Sequence, residues 1–200
     1  MFSMTKWNME TNVSWLYRLL YKLKLISNEG RYSQITLWRL VVLTCKTIIG
    51  RIMYSYSMKS MLFEPINKKV LRPRIWRLLG CKVGTNVNIG HFVRLDFGNA
   101  ERIQIGNNVV ISNDVTILCH KRDLCYYQKY GNAYKLPFVY GNVIIEDGCQ
   151  IGIGSIILPN VKIGVGSIVG AGSVVTKDVP AWCVAVGNPA KVIRNLDDGL

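Results

Sequence analysis

From residue 83 onward the chain repeats every six residues, and that period limits the fold more than any other feature of it. The clearest run is Ile145-Glu-Asp-Gly-Cys-Gln, Ile151-Gly-Ile-Gly-Ser-Ile, Ile157-Leu-Pro-Asn-Val-Lys, Ile163-Gly-Val-Gly-Ser-Ile, Val169-Gly-Ala-Gly-Ser-Val and Val175-Thr-Lys-Asp-Val-Pro. The first position is aliphatic in all six, the fourth is Gly, Asn or Asp, and the fifth is small or β-branched. The same frame occurs at Val83, Ile89 and Leu95 and again at Ile105, Ile111 and Ile117, with interruptions after Leu95 and after Ile117. A period of six suits neither an amphipathic helix, which repeats every 3.6 residues, nor long alternating strands. It suits short strands joined by tight corners, where Gly and Asn accept the backbone angles of a sharp turn. Three hexads per coil make a triangular prism, with first positions stacked inside and successive coils paired as parallel strands. Twelve hexads in frame argue against a β-sandwich with regular turns.

Charge divides the chain in two. Residues 1–79 carry fourteen Lys and Arg against three acidic residues, whereas residues 80–200 carry eleven against nine. The expected organisation is therefore a basic helical N-terminal extension over 1–79 and a β-helix domain over 80–200, with a loop at 118–142 protruding from it. Ile35 to Met53 reads as a helix, with Arg39, Lys46 and Thr47 on one face, Thr36 near it and mostly apolar residues elsewhere. Val13 to Ile26 is a second apolar and basic candidate, containing Trp15, Tyr17 and Tyr21. Such helices suit either packing on the prism, a contact between copies, or a membrane surface. The cations argue against a simple membrane span, and no nucleic-acid motif accompanies them. Six cysteines without a CxxC pair, behind a polar and mixed first fifteen residues, point to a reduced, cytoplasmic protein, peripheral on the inner membrane face if the basic segment binds lipid.

The stretch Ile168-Val-Gly-Ala-Gly-Ser-Val-Val-Thr-Lys-Asp-Val-Pro180 followed by Gly187-Asn-Pro-Ala-Lys-Val-Ile-Arg194 resembles the hexapeptide-repeat acyltransferases. The resemblance runs from about Val83 to Leu196 and is closest to the maltose, galactoside and polysaccharide O-acetyltransferases. It implies a left-handed parallel β-helix, a homotrimer, acetyl-CoA as co-substrate and a sugar or glycan hydroxyl as acceptor, as in polysaccharide biosynthesis.

An excursion as long as 118–142 from a tightly wound coil is usually functional. His120 stands at its start. A sugar hydroxyl must lose its proton as it attacks a thioester, and histidine is suited to take it. The resemblance implies a loop histidine in that role, so His120 is the expected general base. Many relatives carry His-x-His here, and the second position is Arg122 in this chain. A Glu that often precedes the returning strand is also missing, since the sequence reads Phe138-Val-Tyr-Gly. A base needs an orienting partner, for which Asp96 and Asp123 are candidates. His91, Asp96 and Arg122 are the expected acceptor-side residues, with Arg94 and Lys121 as further cations for an anionic acceptor.

On the coenzyme side, Gly154 and the Ala171-Gly172-Ser173 corner are small enough for an extended pantetheine arm to approach the backbone. The resemblance carries arm contacts onto Ile153 and Ala171, and nucleotide and phosphate contacts onto Thr176, Lys177, Lys191 and Arg194. Plain turn chemistry accounts for the same Gly and Ala residues. No metal is expected, because two histidines and no paired cysteines offer no ligand set. Two rival readings keep the fold and change its use. One is transfer to another small acceptor such as serine or an amino-sugar nitrogen, and the other is a non-catalytic scaffold in glycan assembly.

Overall fold

The computed structural model describes residues 15, 22, 36–59, 64–125, 127–128 and 131–196. The chain divides into two units, one up to Arg51 and one compact unit from Ile52 to Leu200. The charge-based boundary at 79/80 marks where the hexads begin, while residues 52–79 count with the coils.

The coils are mainly β and their sheets are parallel. Face one stacks Lys82–Val83, Ile103–Ile105, Val143–Ile145 and Val161–Ile163. Face two stacks Asn88–Ile89, Val110–Ile111, Gln150–Ile151, Ile168–Val169 and Cys183–Gly187, to which Ala190–Asn195 adds as an antiparallel edge. Face three stacks Thr116–Ile117, Ile156–Ile157 and Val174–Val175, with Arg94 bridging to Thr116. The register follows the hexads. Ile105 opposes Ile145 and Ile145 opposes Ile163; Ile111, Ile151 and Val169 form one ladder, and Ile117, Ile157 and Val175 another. Ile151, Ile163 and Val169 line one common interior. Every first-position residue is buried except Val83, which is half-buried in the first coil. The interior is dry and aliphatic, so each ladder residue covers the apolar face of the coil before it. Buried Ser155 and Ser167 at fifth positions donate their hydroxyls to backbone carbonyls, Ser155 to Gly152 O at 2.8 Å and Ser167 to Pro180 O at 2.6 Å.

The corners explain the fourth position. Asn86, Asn108, Asp114 and Asn160 have φ between 52° and 61°, and Gly148, Gly154, Gly166 and Gly172 occupy the equivalent left-handed turn. Asn and Asp tolerate that region because their short polar side chains bond locally. Phe92 takes the same conformation at φ 54°, an uncommon one for a bulky residue. Coils approach closely at corners: a Cβ on Gly152 would lie 2.5 Å from Ala171 N.

Helix α1 spans Leu37–Lys59. Its start is set by Thr36, whose hydroxyl accepts Arg39 N–H at 3.3 Å as an N-cap. It runs six residues beyond the end read from periodicity. Tyr54 and Met58 supply the reason, because both pack against the coils: Tyr54 OH donates to Val93 O at 2.8 Å, and Met58 is buried in the core. Helix α2, Arg72–Leu78, starts with Pro73 in its first turn and buries Trp76 completely in the core cluster. The Val13–Ile26 candidate lies outside the described residues apart from Trp15 and Lys22.

Candidate functional site

The two interruptions of the repeat meet at one corner, between faces three and one. After Leu95 the chain makes an extra turn: Asn99 N–H donates to Asp96 O at 2.9 Å and a short 3-10 turn, Ala100–Arg102, leads into face one. One coil on, after Ile117, the 118–142 excursion begins, and Gly141 N–H closes its base by donating to Cys119 O at 2.8 Å. The excursion is a β-hairpin at its root. His120–Arg122 pairs antiparallel with Phe138–Tyr140, so that His120 faces Tyr140 and Arg122 faces Phe138. The alternation Phe138, Tyr140 is the signal that could have revealed this strand in the sequence.

Stacking these interruptions brings Asp96 onto His120. The His120 Nδ1 atom and the Asp96 Oδ2 atom form a short hydrogen bond. The same carboxylate accepts Cys119 N–H at 3.0 Å and Asn99 Nδ2 at 3.0 Å. Burial works against its charge, but the bonds from Asn99, His120 and Cys119 together outweigh burial and hold its pKa below the ordinary value. An ionised Asp96 accepts only, so Nδ1 of His120 carries the proton. Nε2 is then the basic nitrogen, and it has no hydrogen-bond partner among the described residues. The imidazole is about one-third exposed, at 37%. Phe138 meets its ring edge-on at 5.2 Å between centroids, and Tyr140 lies at 6.2 Å. Arg102 stacks its guanidinium over Tyr140 at 5.2 Å. Asn99, Arg102, Phe138 and Tyr140 were not singled out by the sequence reading.

A cysteine beside a histidine raises the question of a thiolate nucleophile. Cys119 answers it: the thiol is fully buried, and burial followed by the nearby Asp96 charge pushes it up to about 12. It is a neutral core residue at any ordinary pH.

The other expected residues fall into separate places. Arg122 turns back onto its own hairpin, lying over the Phe138 ring at 3.8 Å and donating to Leu136 O, so it braces the loop. Asp123 bonds Cys125 N–H at 2.9 Å within the loop. Arg94 opens onto a recess of about 450 Å³ beside Tyr54, Lys59 and Phe92. His91 sits at the corner between faces two and three, with both ring nitrogens engaged: Nδ1 accepts from Arg72 Nη2 at 3.0 Å and Nε2 donates to Glu64 at 2.9 Å. Arg72 is itself fully buried and donates to Glu64 and to Ile89 O at 2.9 Å each. His91 is therefore a tie between the helical segment and the coils.

Ile153, Gly154 and Ala171 belong to that same corner column. Asp114 N–H donates to His91 O, Gly154 N–H to Asn113 O and Gly172 N–H to Ile153 O, at 2.9, 3.0 and 2.8 Å. A Cβ at Gly154 or Gly172 would meet nothing within 4 Å, so the corner is open. The hairpin tip closes the column above, through Gly187 N–H donating to Ser173 Oγ at 3.1 Å. Lys191 pairs with Val186 near that tip and Arg194 with Val184 further along, both exposed. Thr176 and Lys177 are exposed at the corner between faces three and one, on a later coil than His120. Within one chain, then, His120 and the Ile153–Ala171 column lie on opposite edges of face three. Among the described residues there is no group of His, Cys, Asp and Glu that could hold a metal ion.

Residues 142–177 match the bacterial transferase hexapeptide family (six repeats). The galactoside O-acetyltransferase of Escherichia coli (strain K12) is 36% identical over 120 residues, covering 58% of this chain and 57% of that protein. Other curated relatives are covered over 44% to 66% of their length, so the chain spans about half to two thirds of them. Among solved structures, a maltose O-acetyltransferase from Clostridium difficile 630 superimposes with a TM-score of 0.58 at 27% identity, over 78% of this chain and 88% of that one. AntD, an N-acyltransferase from Bacillus cereus solved with dTDP-4-amino-4,6-dideoxyglucose and coenzyme A, gives 0.51 at 27%, over 57% and 63%. The chain is thus similar to the hexapeptide-repeat acyltransferases, sugar O-acetyltransferases among them.

Proposed function

We propose that this hexapeptide-repeat chain is an acetyltransferase that moves an acetyl group from acetyl-CoA to a sugar hydroxyl, with His120 as general base and Asp96 as the residue that positions it. The observation that carries the reading is the Asp96–His120 pair, formed where the only two breaks in the repeat stack on one another. Its support from outside the chain is the likeness to the galactoside and maltose O-acetyltransferases.

The chemistry follows from the tautomer. Nε2 of His120 accepts the hydroxyl proton while the oxygen attacks the thioester carbonyl carbon. The carbonyl electrons move onto oxygen, and a backbone N–H near the groove stabilises that oxyanion. Collapse breaks the C–S bond, and the imidazolium returns its proton to the departing thiolate. Asp96 stabilises the imidazolium between those two transfers without itself taking the proton. No cysteine intermediate is needed, in keeping with the neutral Cys119. The pantetheine arm would run along the open Ile153–Ala171 corner. The exposed Thr176, Lys177, Lys191 and Arg194 would serve its anionic end, where cations make charge-assisted contacts with phosphate.

Those two halves lie on opposite edges of face three, so the complete site is read as forming between copies, the His120 corner of one meeting the Ile153 corner of the next. That requires a closed ring, and a homotrimer of left-handed coils is the assembly proposed. Dependence on acetyl-CoA and six free thiols fit a cytoplasmic location, and polysaccharide biosynthesis is the setting proposed. A second acceptor reading, transfer to an amino-sugar nitrogen, is favoured by the likeness to AntD.

The test is thiol release from acetyl-CoA with a panel of glycosides, amino sugars and serine. Turnover with a sugar hydroxyl, lost in His120→Ala, is the expected result. Undiminished turnover in that variant removes His120 from the mechanism; turnover confined to amino sugars replaces the hydroxyl with nitrogen.

A further inference from the structure

Helix α1 has a feature that acetyl transfer does not explain. Trp38, Val41, Cys45, Ile48 and Ile52 recur at steps of three and four, which places them in one stripe along the helix. All five are exposed, Trp38 at 75% and Ile52 at 63%. This stripe lies away from Tyr54 and Met58, the α1 residues that pack on the coils, which project from the other side of the helix by the same periodicity.

Its charge selects what covers it. The helix carries Arg39, Lys46, Arg51 and Lys59 and no Asp or Glu. Arg39 and Arg51 stand on either side of the stripe. A second copy of α1 docked along it would bring four cations against four, with no carboxylate on either helix to pair them; self-association through a helix stripe ordinarily uses opposite charges at its edges. An anionic surface offers both the apolar layer and the counter-charge. Residues 1–79 carry most of the net positive charge, so the field around the stripe has the matching sign. No helix among the described residues is long and apolar enough to cross a membrane. A helix with one apolar, Trp-containing face and an all-basic complement lies in the interface instead.

We propose that α1 is an interfacial helix that seats the protein on an anionic phospholipid surface, with Trp38, Val41, Ile48 and Ile52 entering the acyl boundary and the arginines meeting lipid phosphates. The enzyme would then work at the surface where a lipid-linked acceptor is presented, but the docking does not depend on that.

Flotation of the full chain with vesicles of phosphatidylcholine alone, and of phosphatidylcholine with phosphatidylglycerol, tests it. The protein is expected to float with the mixed vesicles and to be released by salt. Trp38→Ser with Ile48→Ser should weaken binding by about tenfold or more, and each of Arg39→Gln and Arg51→Gln by about fivefold. Thiol release from acetyl-CoA, followed in solution, should be unchanged in all of them, so failure here is separable from failure of the acetyltransferase reading. Failure to float with either vesicle overturns the proposal, as does flotation that the Trp38/Ile48 variant does not weaken. A change of mass by light scattering in that variant, without loss of flotation, would make the stripe a contact between copies.

Discussion

The two histidines of this chain sit on corners that flank the same face, and they could hardly be placed more differently. His91 has Arg72 on one ring nitrogen and Glu64 on the other, beside a guanidinium with no exposed surface. Nothing is left for a substrate. His120 has Asp96 on Nδ1 only, and its Nε2 meets aromatic edges and solvent. A base is recognised by what its second nitrogen lacks, since a fully bonded imidazole holds structure together and a half-bonded one can exchange a proton. The sequence reading set both on the site. The structure gives the first a mechanical post and the second a chemical one.

The sharpest way to break this contrast is to remove each ring. His120→Ala should cost roughly 10²–10⁴-fold in turnover with coenzyme affinity by calorimetry unchanged, whereas His91→Ala should leave turnover per folded molecule alone. Next in size, Glu64→Gln strips the buried Arg72 of its counter-charge and should lower stability by roughly 3–5 kcal/mol in urea unfolding, again with turnover intact. A matching loss of turnover would mean that the His91 corner takes part in the chemistry.

Asp96→Asn should reduce turnover by about tenfold or more and also shift stability with pH. The folded carboxyl titrates below its unfolded value of about 3.9, so its contribution is full above that value and disappears as pH falls through the lowered folded one. The stability gap between the parent protein and the Asp96→Asn variant should therefore be full at neutral pH and close on the acid side. A gap independent of pH would show that geometry, not charge, is what Asp96 supplies. The smallest effect expected is that of Phe138→Ala, which removes an edge contact worth about 0.5–1.5 kcal/mol; a several-fold drop in turnover at constant coenzyme affinity is the reading to look for.

Much of the site's location was legible in the interruptions of the repeat. Leu95 and Ile117 each end the third hexad of a coil, so whatever follows them stacks on one corner, and Asp96 and His120 follow them. Their hydrogen bond was not legible. It depends on the extra turn through Asn99 and on Cys119 N–H aiming at the carboxylate, neither of which has a period. Arg122 shows the limit most plainly. By spacing it occupied the place of a second loop histidine, yet it lies on Phe138 and holds Leu136 O, because a hairpin strand turns every second residue to the same side and pairs it across.

What the amino-acid order determined alone is the prism: a six-residue period with aliphatic first positions and left-handed fourth positions has few other ways to bury its apolar surface. It also determined that α1 begins at Leu37, since Thr36 caps it locally. Only tertiary packing decided where α1 ends, that Arg72 is buried, and which histidine keeps a nitrogen free. Those outcomes rest on contacts between residues far apart in the chain, such as Tyr54 with Val93 and Asp96 with His120, and no local pattern encodes a partner at that separation.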